Sequence, residues 1–218
     1  MIESIFSKLH TLFANNGFKI YASGGTVRDF LLNKSINDFD FVTNAKPEDM
    51  KKFIKNGNFT FSKFGVVKYQ LDGTNIDIVT MREESTYLDA RHPNCVKFID
   101  DLYEDSKRRD FTINALYMDV NNNIFDYWNG KKDLENRILR CIGDPIKRLR
   151  EDPLRILRAL RFSSCLNLNI EDTLDAAIKE LLPSLNMLNP HKIEEEIKKF
   201  NDISILKKYN VYDYLMNY

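Results

Sequence analysis

Residues 37–43 read NDFDFVT, in which acidic and apolar side chains alternate. This period of two predicts a β-strand with Asp38 and Asp40 on one face, because side chains two residues apart point the same way. Carboxylates held side by side can share divalent cations, since the hard cation Mg²⁺ prefers oxygen ligands and keeps positions open for water and phosphate. Acid pairs with this spacing also occur on solvated strands, so the surrounding sequence has to decide between the two interpretations.

A glycine pair lies upstream of these acids, in Gly24-Gly25-Thr26-Val27-Arg28-Asp29. It follows a predicted strand, FKIYA, and precedes a predicted helix over residues 26–32. Two glycines between a strand and a helix let the backbone approach a triphosphate, and the helix N-terminus adds free N–H groups and a favourable dipole. The alternative is an ordinary tight turn.

Helices and strands alternate through the first half of the chain. Apolar residues at helical spacing predict a first helix that Gly17 closes, and Pro47 opens another that runs through Ile54. Two strands with a period of two follow, FGVVKYQL and NIDIVTM, on either side of the turn Asp72-Gly73. The polar stretch from Glu83 to Arg108 shows little periodicity and predicts a mobile loop, which is usually functional when it is this long.

Asp77 stands between apolar neighbours in the second of these strands. A carboxylate on a buried strand is costly unless it is paired or coordinates a metal. Asp77 is therefore predicted as a third catalytic carboxylate, the alternative being a salt bridge to Arg82 or to a lysine.

The pattern becomes mostly helical after Phe111. Asp144-Pro145 and Asp152-Pro153 each have the form of an N-cap followed by proline at the first helical position. Asn169 and Asn189-Pro190 predict two further helix starts. The sequence thus indicates an α+β chain with a domain boundary near Gly143.

Composition narrows the class of protein. The chain has 218 residues, 43% hydrophobic and 29% charged, as in an ordinary globular protein. Lysine and arginine together number 32, as do aspartate and glutamate, so the formal net charge is zero. Any contact with phosphate must therefore come from basic residues that cluster locally. The odd set Cys95, Cys141 and Cys165 fits neither a disulfide framework nor a zinc site. With no apolar run of membrane-spanning length and no signal peptide, we expect no membrane partner and a cytoplasmic location.

Five motifs in a fixed order resemble those of the class II tRNA nucleotidyltransferases, the CCA-adding enzymes, and of their relatives the bacterial poly(A) polymerases. The motifs are GGTVRDFLL, DFDFVT, RRDFTINA from Arg108, Asp126-x-x-x-Gly130, and EDPLRILR from Glu151. The resemblance implies a polymerase-β-like nucleotidyltransferase head with a mixed sheet and helices, residues 1–142. An all-helical neck, residues 143–218, is expected to follow it.

The resemblance also implies roles for individual residues. Asp38 and Asp40 would hold two Mg²⁺ ions, and Asp126 and Gly130 would belong to a flexible element that helps to reorient the head. Arg109 and Asp110 would contact the sugar of the incoming nucleotide, whereas Asp152 and Arg155 would recognise its base with Glu151 orienting them. The full set of expected nucleotide contacts is Gly24, Gly25, Arg28, Arg109, Asp110, Asn114, Glu151, Asp152, Arg155 and Arg158.

The chemistry of the bases agrees with that assignment. Cytosine and adenine each present an amino donor beside a ring-nitrogen acceptor, so a carboxylate and a guanidinium together suit both CTP and ATP. Uracil and guanine present the reverse pattern and would leave both protein groups mispaired. The plainer interpretation of Asp152 and Arg155, three residues apart, is an N-cap and an exposed ion pair on a helix.

Basic residues cluster in two segments, Lys107 to Arg109 and Lys147 to Arg161. Some should face the triphosphate and some the RNA backbone, and Lys147, Arg148 and Arg161 are predicted for the RNA. Any one of them could instead lie on a solvated helix face.

Three functions remain open: CCA addition to tRNA, another tailing activity such as poly(A), A-only or CC-only addition, and a catalytically idle RNA-binding protein. The intact acids argue against the last, and the loop YLDARHP from Tyr87 looks complete, which disfavours CC-only addition. The chain departs from the family in having His191-Lys192 where Glu-Arg is usual, and only a short tail follows IEEEIKKF. The apolar tail could pack back on the neck or form an interface. In either case we expect this chain alone to bind tRNA weakly and salt-sensitively, so that efficient addition needs self-association or a partner protein.

Overall fold

The computed structural model of the chain describes residues 2–36, 38–87 and 93–215, with side chains for all of these except 84–87, 93–95 and 215. The helices are α1 (Ile2–Ala14), α2 (Gly25–Leu31), α3 (Pro47–Phe53), α4 (Leu102–Lys107), α5 (Gly130–Glu135), α6 (Pro145–Glu151), α7 (Leu154–Leu166), α8 (Asp172–Leu181), α9 (Pro190–Ile197), α10 (Ser204–Lys208) and α11 (Tyr212–Leu215). The strands are β1 (Ile20–Ser23), β2 (Phe39–Thr43), β3 (Val66–Leu71), β4 (Thr74–Thr80), β5 (Arg82–Tyr87), β6 (Pro93–Phe98), β7 (Leu116–Met118), β8 (Ile124–Asp126), β9 (Ile138–Leu139) and β10 (Asn169–Ile170).

Within the described residues, six strands form one mixed sheet in the order β3-β4-β2-β1-β7-β8. The β2 and β4 strands are parallel, and the other neighbours are antiparallel. The parallel register places Asp40 opposite Asp77. The sheet and its helices confirm the predicted α+β fold, and the sheet topology brings two of the predicted carboxylates onto neighbouring strands.

The amphipathic pattern of α1 explains how the N-terminal helix covers the sheet. Its buried side chains include Phe6 and Phe13, which recur at the spacing of one helix face. The Phe6 ring meets that of Phe41 on β2 edge to face, with centroids 5.1 Å apart. Burial of each such side chain stabilises the fold by roughly 1.5–3 kcal/mol, so this contact anchors the strand that carries Asp40.

Two regions differ from the sequence prediction. The stretch from Glu83 to Arg108, predicted to contain a mobile loop, also includes most of β5 and all of β6, which pair as a two-stranded sheet. Helix α4 follows, and Asp101 caps it by accepting from the Glu104 N–H at 2.9 Å. The region after Phe111, predicted as helical, first supplies β7 and β8 to the main sheet. Strands of three residues are too short to show a period of two, and β5 is polar on both faces. Most of the loop YLDARHP lies outside the described residues.

The helix starts near the C-terminus follow the predicted caps at Asp144 and Asn189 but not at Asp152 or Asn169. Helix α7 has Pro153, not Asp152, at its N-cap and begins at Leu154. Asp144 accepts from the N–H groups of Ile146 and Lys147, and Asn189 accepts from that of His191 at 2.9 Å. The start predicted at Asn169 is wrong, because that residue pairs in β10 with β9, and α8 begins at Asp172 under a cap from Glu171. The Asn169 side chain is exposed and leaves the capping to the carboxylate that follows.

The apolar tail packs back on the helical region. Leu206 and Val211 are completely buried, and the hydroxyl of Tyr209 donates to Asp175. This confirms the packing alternative for these tail residues. None of the helices in the described ranges is long and apolar enough to cross a membrane.

The chain packs as two compact units. The sheet unit comprises Met1–Ser85, Cys95–Arg109 and Asn114–Trp128, and the helical unit comprises Thr86–Asn94, Asp110–Ile113 and Asn129–Tyr218. Packing therefore divides the chain after Trp128, while the functional boundary between residues 142 and 143 stays a prediction.

Candidate active site

The carboxylate pair of the sheet unit sits where β2 begins. Asp40 is the second residue of the strand, whereas Asp38 lies in a bend just before it and is exposed, so the predicted strand starts later than expected. The Thr26 hydroxyl holds this segment by donating to the Asp38 carbonyl at 3.0 Å and accepting from the Asp40 N–H at 2.8 Å. The first turn of α2 therefore fixes the position of both acids.

The glycine turn packs closely against charged side chains. Gly24 has a φ of 59°, in the left-handed region that favours glycine, and a β-carbon there would lie 3.1 Å from Nη1 of Arg109. A β-carbon on Gly25 would lie 3.8 Å from Oδ2 of Asp40. Because Gly24 and Gly25 have no β-carbons, the Arg109 guanidinium and the Asp40 carboxylate both lie next to backbone that bears no side chain.

Asp40 is an acid of the sheet unit whose proton affinity its surroundings raise. Burial, reinforced by the charges of Asp77 and Asp38, raises the pKa of Asp40 to about 6, although Arg109 and Arg28 act in the opposite direction. The local negative charge is therefore incompletely neutralised by the protein itself. A divalent cation is the species that such a site favours, since it binds the ionised carboxylate.

Asp77 forms a salt bridge with a lysine, which the sequence analysis gave as the alternative to a catalytic role. Both of its carboxylate oxygens lie 3.2 Å from Nζ of Lys68, its register partner on β3, and its side chain is 39% exposed. Among residues 2–36, 38–87 and 93–215, no three His, Cys, Asp or Glu side chains are grouped as a metal site. Asp38 and Asp40 offer oxygen ligands, the type that a hard cation prefers. Their metal-binding role and the catalytic role of Asp77 stay predictions.

Arg28 and Asn114 form a hydrogen-bonded pair in the same unit. Arg28 donates to both carboxylate oxygens of Asp29, at 2.9 and 3.0 Å, and to Oδ1 of Asn114 at 2.7 Å. These bonds orient a predicted nucleotide contact. They also leave the guanidinium close to Gly25, where an added β-carbon would lie 3.5 Å from Nη2 of Arg28.

Sequence reasoning missed the residue that holds Arg109. Asp105 is completely buried and accepts hydrogen bonds from Arg108, from Arg109, from the Tyr117 hydroxyl at 2.8 Å and from the Arg82 N–H. Burial opposes its ionisation, but the guanidinium groups of Arg108 and Arg109 hold the pKa of Asp105 at about 2. The sequence signal that could have predicted this pair is the spacing of four residues between Asp105 and Arg109, which suits an ion pair at the end of a helix.

Asp105→Asn is expected to destabilise the protein by about 3–5 kcal/mol at pH 7, because it leaves buried guanidinium charge unpaired. A lowered pKa contributes stability above about pH 4 and loses it as the pH falls towards 2, so the variant should lack this part of the wild-type acid transition. Urea unfolding at pH 7 and pH 3 measures both. The matched control Asp49→Asn removes a surface pair with Lys52 and should leave the stability almost unchanged. Equal effects of the two variants at pH 7 would contradict the role of Asp105.

In the helical unit, Asp110 is paired with Arg158. Its Oδ2 accepts from Nε and Nη2 of Arg158 at 2.8 and 2.5 Å, and its Oδ1 accepts from the Phe111 N–H at 2.8 Å. Backbone bonds join the same segment to the one that precedes α6, as in the 3.1 Å bond from Ile142 N–H to the Asp110 carbonyl. Two residues predicted to contact the nucleotide are thereby fixed relative to each other.

The predicted base-reading residues lie where α6 gives way to α7. Asp152 ends α6 and accepts from the Leu154 N–H at 3.1 Å, while the Arg155 N–H donates to the Asp152 carbonyl at 3.0 Å. The Arg155 guanidinium is 6% exposed and donates to the Arg148 carbonyl at 2.8 Å and to Glu151 at 3.3 Å. The Asp152 carboxylate, an acceptor, and the Arg155 guanidinium, a donor, therefore lie on adjoining turns. The hydrogen bond to Glu151 restrains the guanidinium.

The cations predicted for RNA differ in how accessible they are. Lys147 is exposed, but Arg148 is paired with Glu151, and Arg161 donates to the buried Glu196 at 2.6 Å. An arginine committed to a buried carboxylate has less capacity for phosphate. The RNA-binding roles stay predictions, and these ion pairs weaken the case for Arg148 and Arg161.

Gly130 begins α5 against the backbone of a neighbouring turn. A β-carbon on Gly130 would lie 2.2 Å from the Thr112 carbonyl oxygen, closer than atoms can approach. We expect Gly130→Ala to lower the free energy of unfolding by about 3 kcal/mol, because backbone must move to admit the methyl group. Chemical denaturation measures this change, with Gly73→Ala as control, since its φ of 78° is strained but the space around it is open. A smaller effect at Gly130 than at Gly73 would refute the steric argument.

Comparison with known proteins agrees with this geometry. The family model of the poly A polymerase head domain matches residues 20–140. The CCA-adding enzyme of Lactobacillus helveticus is 44% identical over 183 residues, which are 84% of this chain and 46% of that enzyme.

Solved structures give the same result. A Bacillus stearothermophilus CCA-adding enzyme in complex with CTP superposes with a TM-score of 0.83 at 32% identity, covering 91% of this chain and 48% of that one. A tRNA nucleotidyltransferase complexed with a primer tRNA and an incoming ATP analog superposes with a TM-score of 0.71 at 30% identity, covering 99% and 61%. The chain spans about half the length of the curated relatives it matches. The chain belongs to the poly A polymerase head domain family and, with it, to the class II tRNA nucleotidyltransferases that its motifs resemble.

Proposed function

We propose that this chain carries the catalytic and base-selecting parts of a nucleotidyltransferase that adds CMP and AMP to the 3′ end of tRNA and releases pyrophosphate. The observation that carries the proposal is the acidic site of the sheet unit, where Asp40 borders the Gly24-Gly25 turn with a pKa raised to about 6. That relatives were crystallised with CTP, and with a primer tRNA and an ATP analog, supports CTP, ATP and tRNA as the substrates.

In the proposed mechanism, Asp38 and Asp40 hold two Mg²⁺ ions. When bound there, the ions would supply positive charge that makes the attacking 3′-hydroxyl more acidic and neutralises charge on the pyrophosphate. The Gly24-Gly25 backbone can approach the triphosphate because no β-carbon intervenes, and Arg28, oriented by Asn114, adds positive charge there. Each of these groups positions or neutralises phosphate oxygens, which is most of what phosphoryl transfer requires.

Selection of the nucleotide falls to the remaining residues. Arg109 and Asp110 are assigned to the ribose, where a carboxylate accepts from a 2′-hydroxyl, and Arg158 orients Asp110 by donating two hydrogen bonds to its Oδ2. Asp152 and Arg155 are assigned to the base edge. The hydrogen bond from Arg155 to Glu151 supports a donor held ready for the ring nitrogen of cytosine or adenine.

Poly(A) addition is the second candidate, because the matching family model describes a poly A polymerase head domain. The test is to supply the chain with tRNA transcripts lacking the final A, CA or CCA, with Mg²⁺, CTP and ATP, and to sequence the products. CCA addition predicts that every transcript ends in a single CCA. Long adenosine tracts would favour poly(A) synthesis, and extension only of the transcript that lacks A would favour A-only addition. A cytoplasmic location and a need for self-association or a partner protein remain parts of the proposal.

A further inference from the structure

One surface of the sheet unit is far more basic than the chain as a whole. Residues 46–68 contain six lysines and two acids, although the formal net charge of the chain is zero. Four of these lysines, here called the lysine face, are Lys46, Lys51, Lys55 and Lys63. This clustering meets the requirement that a neutral chain must concentrate its phosphate contacts locally.

The segment folds back on itself, which brings Lys51 close to the turn that follows α3. Helix α3 leads into a turn whose Phe59 ring lies 5.4 Å from Nζ of Lys51. The same turn is tied to β3 by two backbone hydrogen bonds between Asn58 and Lys68, at 2.7 and 3.0 Å. The helix, the turn and the edge strand therefore form a continuous surface.

The lysine face is available to a ligand. All four side chains are exposed, and within the described ranges none of the four forms an ion pair. The neighbouring Lys52 and Lys68 are instead paired, with Asp49 and Asp77. The contrast with Arg148 and Arg161 matters, because those predicted RNA contacts are engaged by carboxylates.

Aromatic rings accompany the charges. Phe61, between Lys55 and Lys63 in sequence, is 48% exposed, and Nζ of Lys63 lies 4.7 Å from the centroid of the Phe64 ring. Lysines interspersed with aromatic rings, of which Phe61 is exposed, suit a nucleic acid, because its phosphates can contact the lysines and its bases the rings.

We propose that the lysine face binds the phosphate backbone of the RNA substrate, which adds a contact surface on the sheet unit. The proposal rests on the proposed function in that the substrate is taken to be RNA. Each phosphate contact contributes about 0.9 or less to the slope of log affinity against log salt. Up to four such contacts explain how a chain of zero net charge retains RNA without relying on the paired arginines.

The test replaces Lys46, Lys51, Lys55 and Lys63 together by glutamine and titrates a tRNA transcript across a salt series. The expected result is an affinity at least tenfold weaker at about 0.1 M salt and a salt slope smaller by about 2–4. The control replaces Lys8, Lys19, Lys34 and Lys97, exposed lysines of the same unit, of which Lys8, Lys19 and Lys97 are ion-paired. It should keep the wild-type slope to within about 1. In incorporation assays the KM for RNA should rise for the test variant only, with kcat unchanged.

The outcomes separate this proposal from the proposed function. If the test variant binds RNA with wild-type affinity and slope, the lysine face is not an RNA surface, whatever the activity. If it instead loses binding to phosphatidylserine vesicles and keeps RNA binding, the face serves a membrane and the proposal fails. If wild type incorporates no nucleotide yet its RNA binding depends on these lysines, the lysine face stands and the proposed function falls.

Discussion

Asp40→Asn is expected to abolish nucleotide incorporation, by roughly 10³-fold or more, in a protein that remains folded. The two Mg²⁺ ions of the proposed mechanism supply several kcal/mol of transition-state stabilisation, and each 1.4 kcal/mol corresponds to about a factor of ten in rate. A neutral amide cannot replace the ionised carboxylate as a ligand for a hard cation. Primer extension with labelled CTP, at saturating Mg²⁺, measures the loss.

The same substitution should make the metal-free protein more stable. Folding raises the pKa of Asp40 to about 6, so ionising Asp40 destabilises the fold progressively as the pH rises from about 4 to about 6. Asparagine removes that penalty, and we expect a gain of about 2 kcal/mol at pH 7 in EDTA. Asp100→Asn, which removes a surface pair with Lys19, is the control and should change neither property. Incorporation near the wild-type rate in Asp40→Asn would refute the assignment of this residue as a metal ligand.

Replacing Asp152 or Arg155 by alanine is expected to relax the choice of nucleotide as well as slow the reaction. A site that pairs with both groups of a base edge rejects a reversed pattern because its own groups are then left mispaired, so removing either group removes the penalty. We expect the preference for CTP and ATP over UTP and GTP to fall at least tenfold in kcat/KM. Competition assays with all four nucleotides measure the preference.

Arg150→Ala is the matched control for this pair. Arg150 is exposed on α6, and its ion pair is with Glu180 on α8. It should leave the nucleotide preference unchanged. An active Asp152 or Arg155 variant with the wild-type preference would show that the base is selected elsewhere.

The sequence predicted those parts of the fold that repeat a local pattern over enough residues. In α1 the apolar side chains repeat at helical spacing, and in the β3-β4 hairpin around Asp72-Gly73 they repeat every second residue. The strands β7 and β8 were missed because three residues cannot establish a period, and their strand character comes from pairing with β1 and with each other. Register is likewise nonlocal, so the placement of Asp40 opposite Asp77 required the structure.

The candidate site shows the same limit. Residue types and motif order predicted roles, which stay predictions, for Asp38, Asp40, Asp110 and the residues around Asp152. They did not identify Asp105, since a buried acid that organises two arginines looks in sequence like one more charge in a polar helix. Nor did they show that Arg161 is committed to Glu196, a residue 35 positions away. Partners across such separations depend on tertiary packing, which residue spacing does not encode.

Metal-dependent transfer of C and A to the 3′ end of RNA is the activity that we propose for this chain. The most direct measurement incubates the purified chain with a tRNA transcript that lacks its 3′ CCA and with each labelled nucleotide in turn, in Mg²⁺ or in EDTA. We expect label from CTP alone, label from ATP once CTP is also present, none from UTP or GTP, and none in EDTA. Incorporation that persists in EDTA, or that draws equally on all four nucleotides, would contradict the proposed activity.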